Sequence, residues 1–184
     1  MIDYGFHGTC QHVNEEILNE LEDMMKDGVP SVKVYLTYDF KIDDDGVLQV
    51  LKKMKQLGGV TAFHCENHAV VQFLRGKLVS EGNTAPIYHA KSRPNLAEAE
   101  AVRRVLYLAK LLEMRRCILS TYPVRKVWSS KRGQSRGTEN IFVETCTQYL
   151  TLTEERYMDK DGLKYVMSSA LRTREDCERL WEGL

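Results

Sequence analysis

Short β-branched or aromatic runs alternate with amphipathic helical stretches along almost the whole chain, and this alternation limits the possible folds more than any other feature. Ile17, Leu18, Leu21, Met24 and Met25 lie on one face of a helix from Asn14 to Lys26, which Gly28 stops. Ser31–Tyr38 then reads as a strand, Gly46–Leu57 as a helix ended by Gly58-Gly59, Val60–Cys65 as a strand and Glu66–Val79 as a helix. The longest helical pattern runs from Asn95 to Met114, with Leu96, Ala99, Val102, Val105, Leu106, Ala109 and Leu112 on its apolar side. A short apolar run, Cys117-Ile-Leu119, and a clearer strand, Ile141–Glu144, follow. Thr173 is placed to cap a last helix ending near Trp181 and Leu184. Such alternation implies βαβ units and a parallel sheet. At roughly 30 residues per unit, five to six units fit. The 184 residues fall short of a closed eightfold β/α barrel, which takes about 250.

Charge excludes some functions. The 26 Lys+Arg balance the 26 Asp+Glu, so no long-range field draws the chain to nucleic acid or an anionic membrane. No apolar run approaches the ~20 residues that span a bilayer, and Met1–His7 lacks the basic and apolar regions of a signal peptide. The five cysteines (Cys10, Cys65, Cys117, Cys146 and Cys177) are odd in number, widely spaced and without a C-x-x-C pair. That usage fits a reducing compartment, the cytoplasm, rather than a disulfide framework.

One segment departs from the alternation. Between Met114 and Thr138 stand Arg115, Arg116, Arg125, Lys126, Lys131, Arg132 and Arg136, with no acid among them and no apolar period. A solvated basic loop would look like this. So would a nucleic-acid patch with Trp128 as a stacking platform.

Two polar side chains stand in the strands. Lys33 lies inside an apolar run, with Tyr38 five residues on, and His64 ends the next strand, before Glu66 and Asn67. Ligands of parallel β/α folds bind at the carboxyl ends of strands. Read singly, a strand lysine also fits snorkelling at an edge, and a lone histidine fits a structural role.

Six motifs, in order, go further: Asp3-Tyr-Gly-Phe-His7, Ser31-Val-Lys-Val-Tyr-Leu-Thr-Tyr38, His64-Cys-Glu-Asn67, Thr84-Ala-Pro-Ile-Tyr-His-Ala-Lys-Ser-Arg-Pro94, Val143-Glu-Thr-Cys-Thr-Gln-Tyr-Leu150 and Lys164-Tyr-Val-Met-Ser168. Together they resemble the dihydropyrimidinase/D-hydantoinase family of cyclic amidohydrolases. The resemblance implies an α/β fold, a partial (β/α) TIM-type barrel of the metal-dependent amidohydrolases comprising roughly its middle units, over residues 1–184. It implies hydrolysis of a small cyclic amide, a dihydropyrimidine or hydantoin, by a hydroxide held on two divalent metal ions, zinc, and a homotetramer as the intact assembly. By the same resemblance Lys33 reacts with CO2 to become a carbamate metal ligand, His64 is a neutral imidazole ligand, Tyr38 binds substrate and stabilises the oxyanion, and Ser168 binds substrate. A carbamate suits its role chemically, because it turns an ammonium into a two-oxygen anion able to bridge metals ~3.5–4 Å apart.

The departures matter as much. The resemblance places the family's His-x-His pair before Met1 and its catalytic aspartate and a substrate-binding asparagine beyond Leu184. His68-Ala69 stands where relatives have Gly-Asp, Ser169-Ala170 where they have Pro-Pro, and Thr147 where they have proline. A further histidine ligand belongs to a His-Leu-Ser-Ser-like motif near Ile118, which is absent. Read in triplets from the last base of the Cys117 codon, however, permitted codons yield His-Ile-Val-His-Leu-Ser-Ser-Lys-Glu-Gly-Leu-Glu-Leu. Residues 117–137 are therefore expected to be a frame-shifted segment, irregular and exposed, between in-frame flanks. With so few ligands the chain alone is expected not to hold the binuclear centre, to carry less than stoichiometric zinc and to be inactive. The alternatives are a non-catalytic, oligomeric dihydropyrimidinase-related binding protein, of which the collapsin-response mediator proteins are examples, and a pseudogene product.

Overall fold

The computed structural model describes residues 4–114, 117–120 and 141–183. These residues form two compact units: 4–65, 104–114, 117–120 and 141–144 make one, and 66–103 and 145–183 the other.

The first unit is built on five parallel strands, β1 (Gly8–Cys10), β2 (Ser31–Tyr35), β3 (Val60–His64), β4 (Cys117–Ser120) and β5 (Ile141–Glu144), paired in chain order. Parallel neighbours require crossovers. The helices α1 (Glu15–Lys26) and α2 (Asp44–Leu57) provide the first two. Local chemistry sets their ends. The Asn14 and Asp43 carboxamide and carboxylate oxygens accept from the amides of Ile17 (2.8 Å) and Gly46 (2.9 Å), satisfying N–H groups that the first helical turn leaves unpaired. Gly58 closes α2 in the left-handed region at φ 71°, a conformation that favours glycine.

Side chains alternate across the sheet, as the pleat requires. On one face Val32, Val34, Thr61 and Phe63 are fully buried, and α2, with Val47, Val50, Leu51 and Met54 also buried, packs against β3. The opposite face carries two cross-sheet rows. One runs Thr9, Lys33, Ala62, Ile118, Phe142; the other includes Tyr35, His64 and Glu144. The polar residues expected at the strand ends thus share the face turned away from the helices.

The second unit holds α3 (His68–Ser80), α4 (Ile87–Lys91), α6 (Thr147–Thr151), two 3-10 turns (Glu154–Met158 and Gly162–Tyr165) and α7 (Arg174–Gly183). The helix α5 (Asn95–Leu111) contributes residues to both units. The second unit's core gathers Ala90, Tyr149, Tyr157, Ala170, Leu171, Cys177 and Leu180. Thr173 does cap α7, its hydroxyl accepting from the amide of Asp176 at 3.2 Å. Among the described residues, no helix is long and apolar enough to cross a membrane.

Several expectations need correction. The strand expected over Ser31–Tyr38 ends at Tyr35, because the chain turns through a left-handed residue, Tyr38, at φ 78°. The sequence also suggests Ser31–Tyr38, Val60–Cys65 and Ile141–Glu144 as neighbouring parallel strands; β2 and β3 do pair, but β4 lies between β3 and β5. The expected irregularity of 117–137 fails for its first four residues: Cys-Ile-Leu-Ser is apolar and β-competent enough to pair on both sides. The rest of that segment, and Trp128 with it, lies outside the described residues. Leu96 is 73% exposed, not on the buried side of α5, whereas Ala99, Val102, Val105 and Ala109 are buried.

Candidate active site

In the first unit, Lys33, Tyr38 and His64 converge at the carboxyl ends of β2 and β3. Lys33 pairs in register with Ala62, two residues before His64 on the same face, so the two side chains are diagonal neighbours. The Lys33 Nζ lies 3.7 Å from the Glu144 carboxylate, which comes from β5 with two strands between. Three strand spacings on a flat sheet would separate these backbones by about 14 Å. Their meeting across three strand spacings suits a sheet curled towards this face.

The imidazole Nε2 of His64 and the phenol oxygen of Tyr38 form a 3.1 Å hydrogen bond. Left-handed backbone is uncommon for a bulky residue and costs roughly 1–2 kcal/mol, so surrounding contacts must hold Tyr38 in place. Its ring meets those of Tyr35 (5.9 Å) and Phe40 (5.4 Å), and Tyr35 meets Phe40 edge-on at 5.0 Å. The amide of Ile42 donates to the Tyr35 carbonyl at 3.1 Å and closes the loop. Sequence reading singles out Lys33, Tyr38 and His64 but not Glu144 as the lysine's partner, nor the aromatic bracket, because the first depends on how distant strands are brought together and the second on how the chain turns after β2. On the helix-covered face, burial pushes the Cys117 thiol up to about 12 and raises Cys10 as well.

Ser168 belongs to the second unit. It is exposed in an irregular stretch where Ser169, Ala170 and Leu171 are buried. The Met167 carbonyl just before it accepts from His89 Nε2 at 2.7 Å, which fixes the proton on that nitrogen. Beneath lies a buried ionic group that the sequence did not announce. Arg93 donates to Glu66 at 2.7 Å; Arg172 lies 3.6 Å from Glu98 and donates to the Arg93 carbonyl. All four side chains are buried, and their charges cancel.

Burial draws the His89 imidazole below its usual pKa. The Met167 carbonyl and Glu66 pull it back up, while Arg93 and Arg172 oppose protonation. An unfolded histidine takes up its proton near pH 6.5, whereas folded His89 stays neutral to lower pH. The unfolded state therefore binds more protons in that window, and stability falls as pH drops below about 6.5, the loss ending beneath the depressed folded value. Urea midpoints at pH 7.5 and 5.5 check this: His89→Gln should flatten the difference, and an unchanged slope would refute it.

No family model matches the chain. Over its whole length it is 39% identical to a D-phenylhydantoinase of Escherichia coli O1:K1 / APEC. Its fold superimposes on a solved D-hydantoinase with a TM-score of 0.91 at 37% identity, covering 98% of this chain and 40% of that one. It matches the dihydropyrimidinase from Brevibacillus agri NCHU1002 with a TM-score of 0.90 at 34% identity, with the same coverage. The chain spans about 40% of the length of the relatives it matches. A curled parallel sheet with helices on one face and polar residues at its carboxyl ends is, with these superpositions, part of an amidohydrolase-type (β/α) barrel. Within that class, the chain is a partial member of the dihydropyrimidinase/D-hydantoinase family.

Proposed function

We propose that the chain forms one wall of a cyclic amidohydrolase that opens dihydropyrimidine or hydantoin rings. The observation that carries this reading is the hydrogen-bonded Tyr38–His64 pair beside Lys33 on one concave sheet face. Hydrolysis adds hydroxide to the ring carbonyl, and negative charge develops on its oxygen. A phenol O–H aimed at that oxygen stabilises it where the charge appears. Tyr38 supplies the phenol, and the aromatic bracket fixes its direction. The reading places the protein in the cytoplasm, in keeping with the free cysteines among the described residues, and makes the intact assembly a homotetramer. Titration with 5-phenylhydantoin tests it: Tyr38→Phe should weaken binding about three- to tenfold, the value of one hydrogen bond. Binding no better than that of an acyclic urea would reject it.

The described residues do not by themselves fit the binuclear zinc centre that the resemblance implies. No group of three or more His, Cys, Asp or Glu among them could hold a metal ion. Lys33 pairs with Glu144, and among the described residues His64 and Glu144 are the conventional ligands beside it. A catalytic zinc takes three protein ligands. Elemental analysis of the purified chain is expected to give less than one zinc per chain, with no detectable hydantoin hydrolysis; two tightly bound zincs would overturn this. The same shortage of ligands favours the second reading, a non-catalytic binding relative.

We also propose that the chain leaves its ancestral reading frame at Cys117 and regains it before Asn140. In the alternative frame the second histidine of His-Ile-Val-His spans the codons of Ser120 and Thr121. Ser120 ends β4 in register with His64. The coding DNA decides: if a one-base shift at Cys117 yields no His-x-x-His-Leu-Ser-like reading, the idea fails.

A further inference from the structure

The stretch around Ser168 belongs to no helix or strand, yet side chains from separate elements of the second unit hold its backbone. His89 of α4 donates to the Met167 carbonyl (2.7 Å), and the Tyr149 hydroxyl of α6 donates to the Ser169 carbonyl (2.9 Å). The amide of Leu171 donates to the Tyr157 hydroxyl (2.8 Å), and the amide of Glu154 donates to the Arg172 carbonyl (2.8 Å). The first two bonds fall on the residues immediately before and after Ser168, which alone of residues 168–172 is exposed.

Buried backbone groups must find partners in any fold, and buried tyrosines seek a bond for their hydroxyl. That requirement alone does not explain why two carbonyls bracketing one exposed serine are each taken by a side chain from a different helix. Such an arrangement immobilises the serine without using its own hydroxyl. A group that must meet a small rigid ring needs placement to within about 0.5 Å, and supporting hydrogen bonds supply it. His89 is itself held edge-on to Tyr157, with ring centroids 6.4 Å apart.

We propose that His89 and Tyr149 are positioning residues that fix Ser168 for a cyclic amide ligand, with Tyr157 anchoring the stretch behind it. The proposal rests on the reading of Ser168 as a substrate residue. A glutamine at position 89 retains an N–H donor for the Met167 carbonyl; an alanine does not.

The test uses the full chain labelled with 15N and 13C, and 5-phenylhydantoin as probe. In His89→Ala and Tyr149→Phe the Ser168 and Ser169 backbone signals should shift, and the dissociation constant read at Ser168 should rise about three- to tenfold. His89→Gln should bring both back towards the wild-type values, which a general loss of stability would not do. Should His89→Ala fail to fold, Tyr149→Phe and His89→Gln still decide. Ser168 signals unmoved in Tyr149→Phe and His89→Ala would overturn the clamp. Signals that move in the variants, with no response of wild-type Ser168 to 5-phenylhydantoin, would uphold the clamp and remove Ser168 from the substrate site.

Discussion

Glu66→Ala is expected to lower the stability of the second unit by about 3–5 kcal/mol, among the largest losses any single substitution in this chain should cause. Glu66 is 1% exposed, and its carboxylate receives the Arg93 guanidinium at 2.7 Å. Removing the carboxylate leaves a buried cation facing a protein interior. The guanidinium cannot escape by losing its proton, because arginine remains charged at any accessible pH. The neighbouring pair does not compensate, since Arg172 and Glu98 already balance each other and Arg172 bonds the Arg93 carbonyl.

Glu66→Gln keeps an acceptor but removes the charge, so its loss should be smaller. Glu66→Leu combined with Arg93→Met should recover most of the stability, because replacing a whole buried pair with apolar groups is often neutral. Urea unfolding of the three variants checks the order Ala, Gln, double. A Glu66→Ala loss below about 1 kcal/mol would mean that water reaches the pair, as it does for exposed ion pairs.

What could be read beforehand follows the range of the interactions involved. Strands β2 and β3 and helices α1 and α2 were legible because their signals are local: β-branched runs, an apolar stripe, and Asn14 or Gly58 at the ends. Ile141–Glu144 coincides with β5 for the same reason. The point where the chain leaves β2 was not legible, because Tyr38 adopts a backbone that tertiary ring contacts maintain against its own preference. The Lys33–Glu144 contact depends on sheet curvature, which no sequence period reports. The frameshift reading makes Cys117-Ile-Leu-Ser part of an irregular segment, while its own four residues carry enough β propensity to pair. The buried Glu66, Arg93, Glu98 and Arg172 had the least signal of all, since charged residues are ordinarily read as surface.

Phe63→Ala is expected to cost about 3–5 kcal/mol, and Phe142→Ala less than about 0.5 kcal/mol, although both residues are phenylalanines in strands of one sheet. Phe63 is 0% exposed, on the face that α2 covers, in register with Val34 and Leu119. Its removal takes a large apolar surface out of a packed interior and leaves a cavity that strand backbones cannot collapse to fill. Phe142 is 56% exposed on the opposite face, in the row that contains Lys33. It therefore has little burial to lose when the chain is studied by itself. The pair of measurements separates the two faces directly: the helix-covered face holds the fold together, whereas the opposite face, where Ala62 and His64 are buried but Phe142 is exposed, is packed only in part. Equal losses at the two positions would mean that something packs over the concave face of the folded chain, and Lys33, Tyr38 and His64 would then be closed to a ligand.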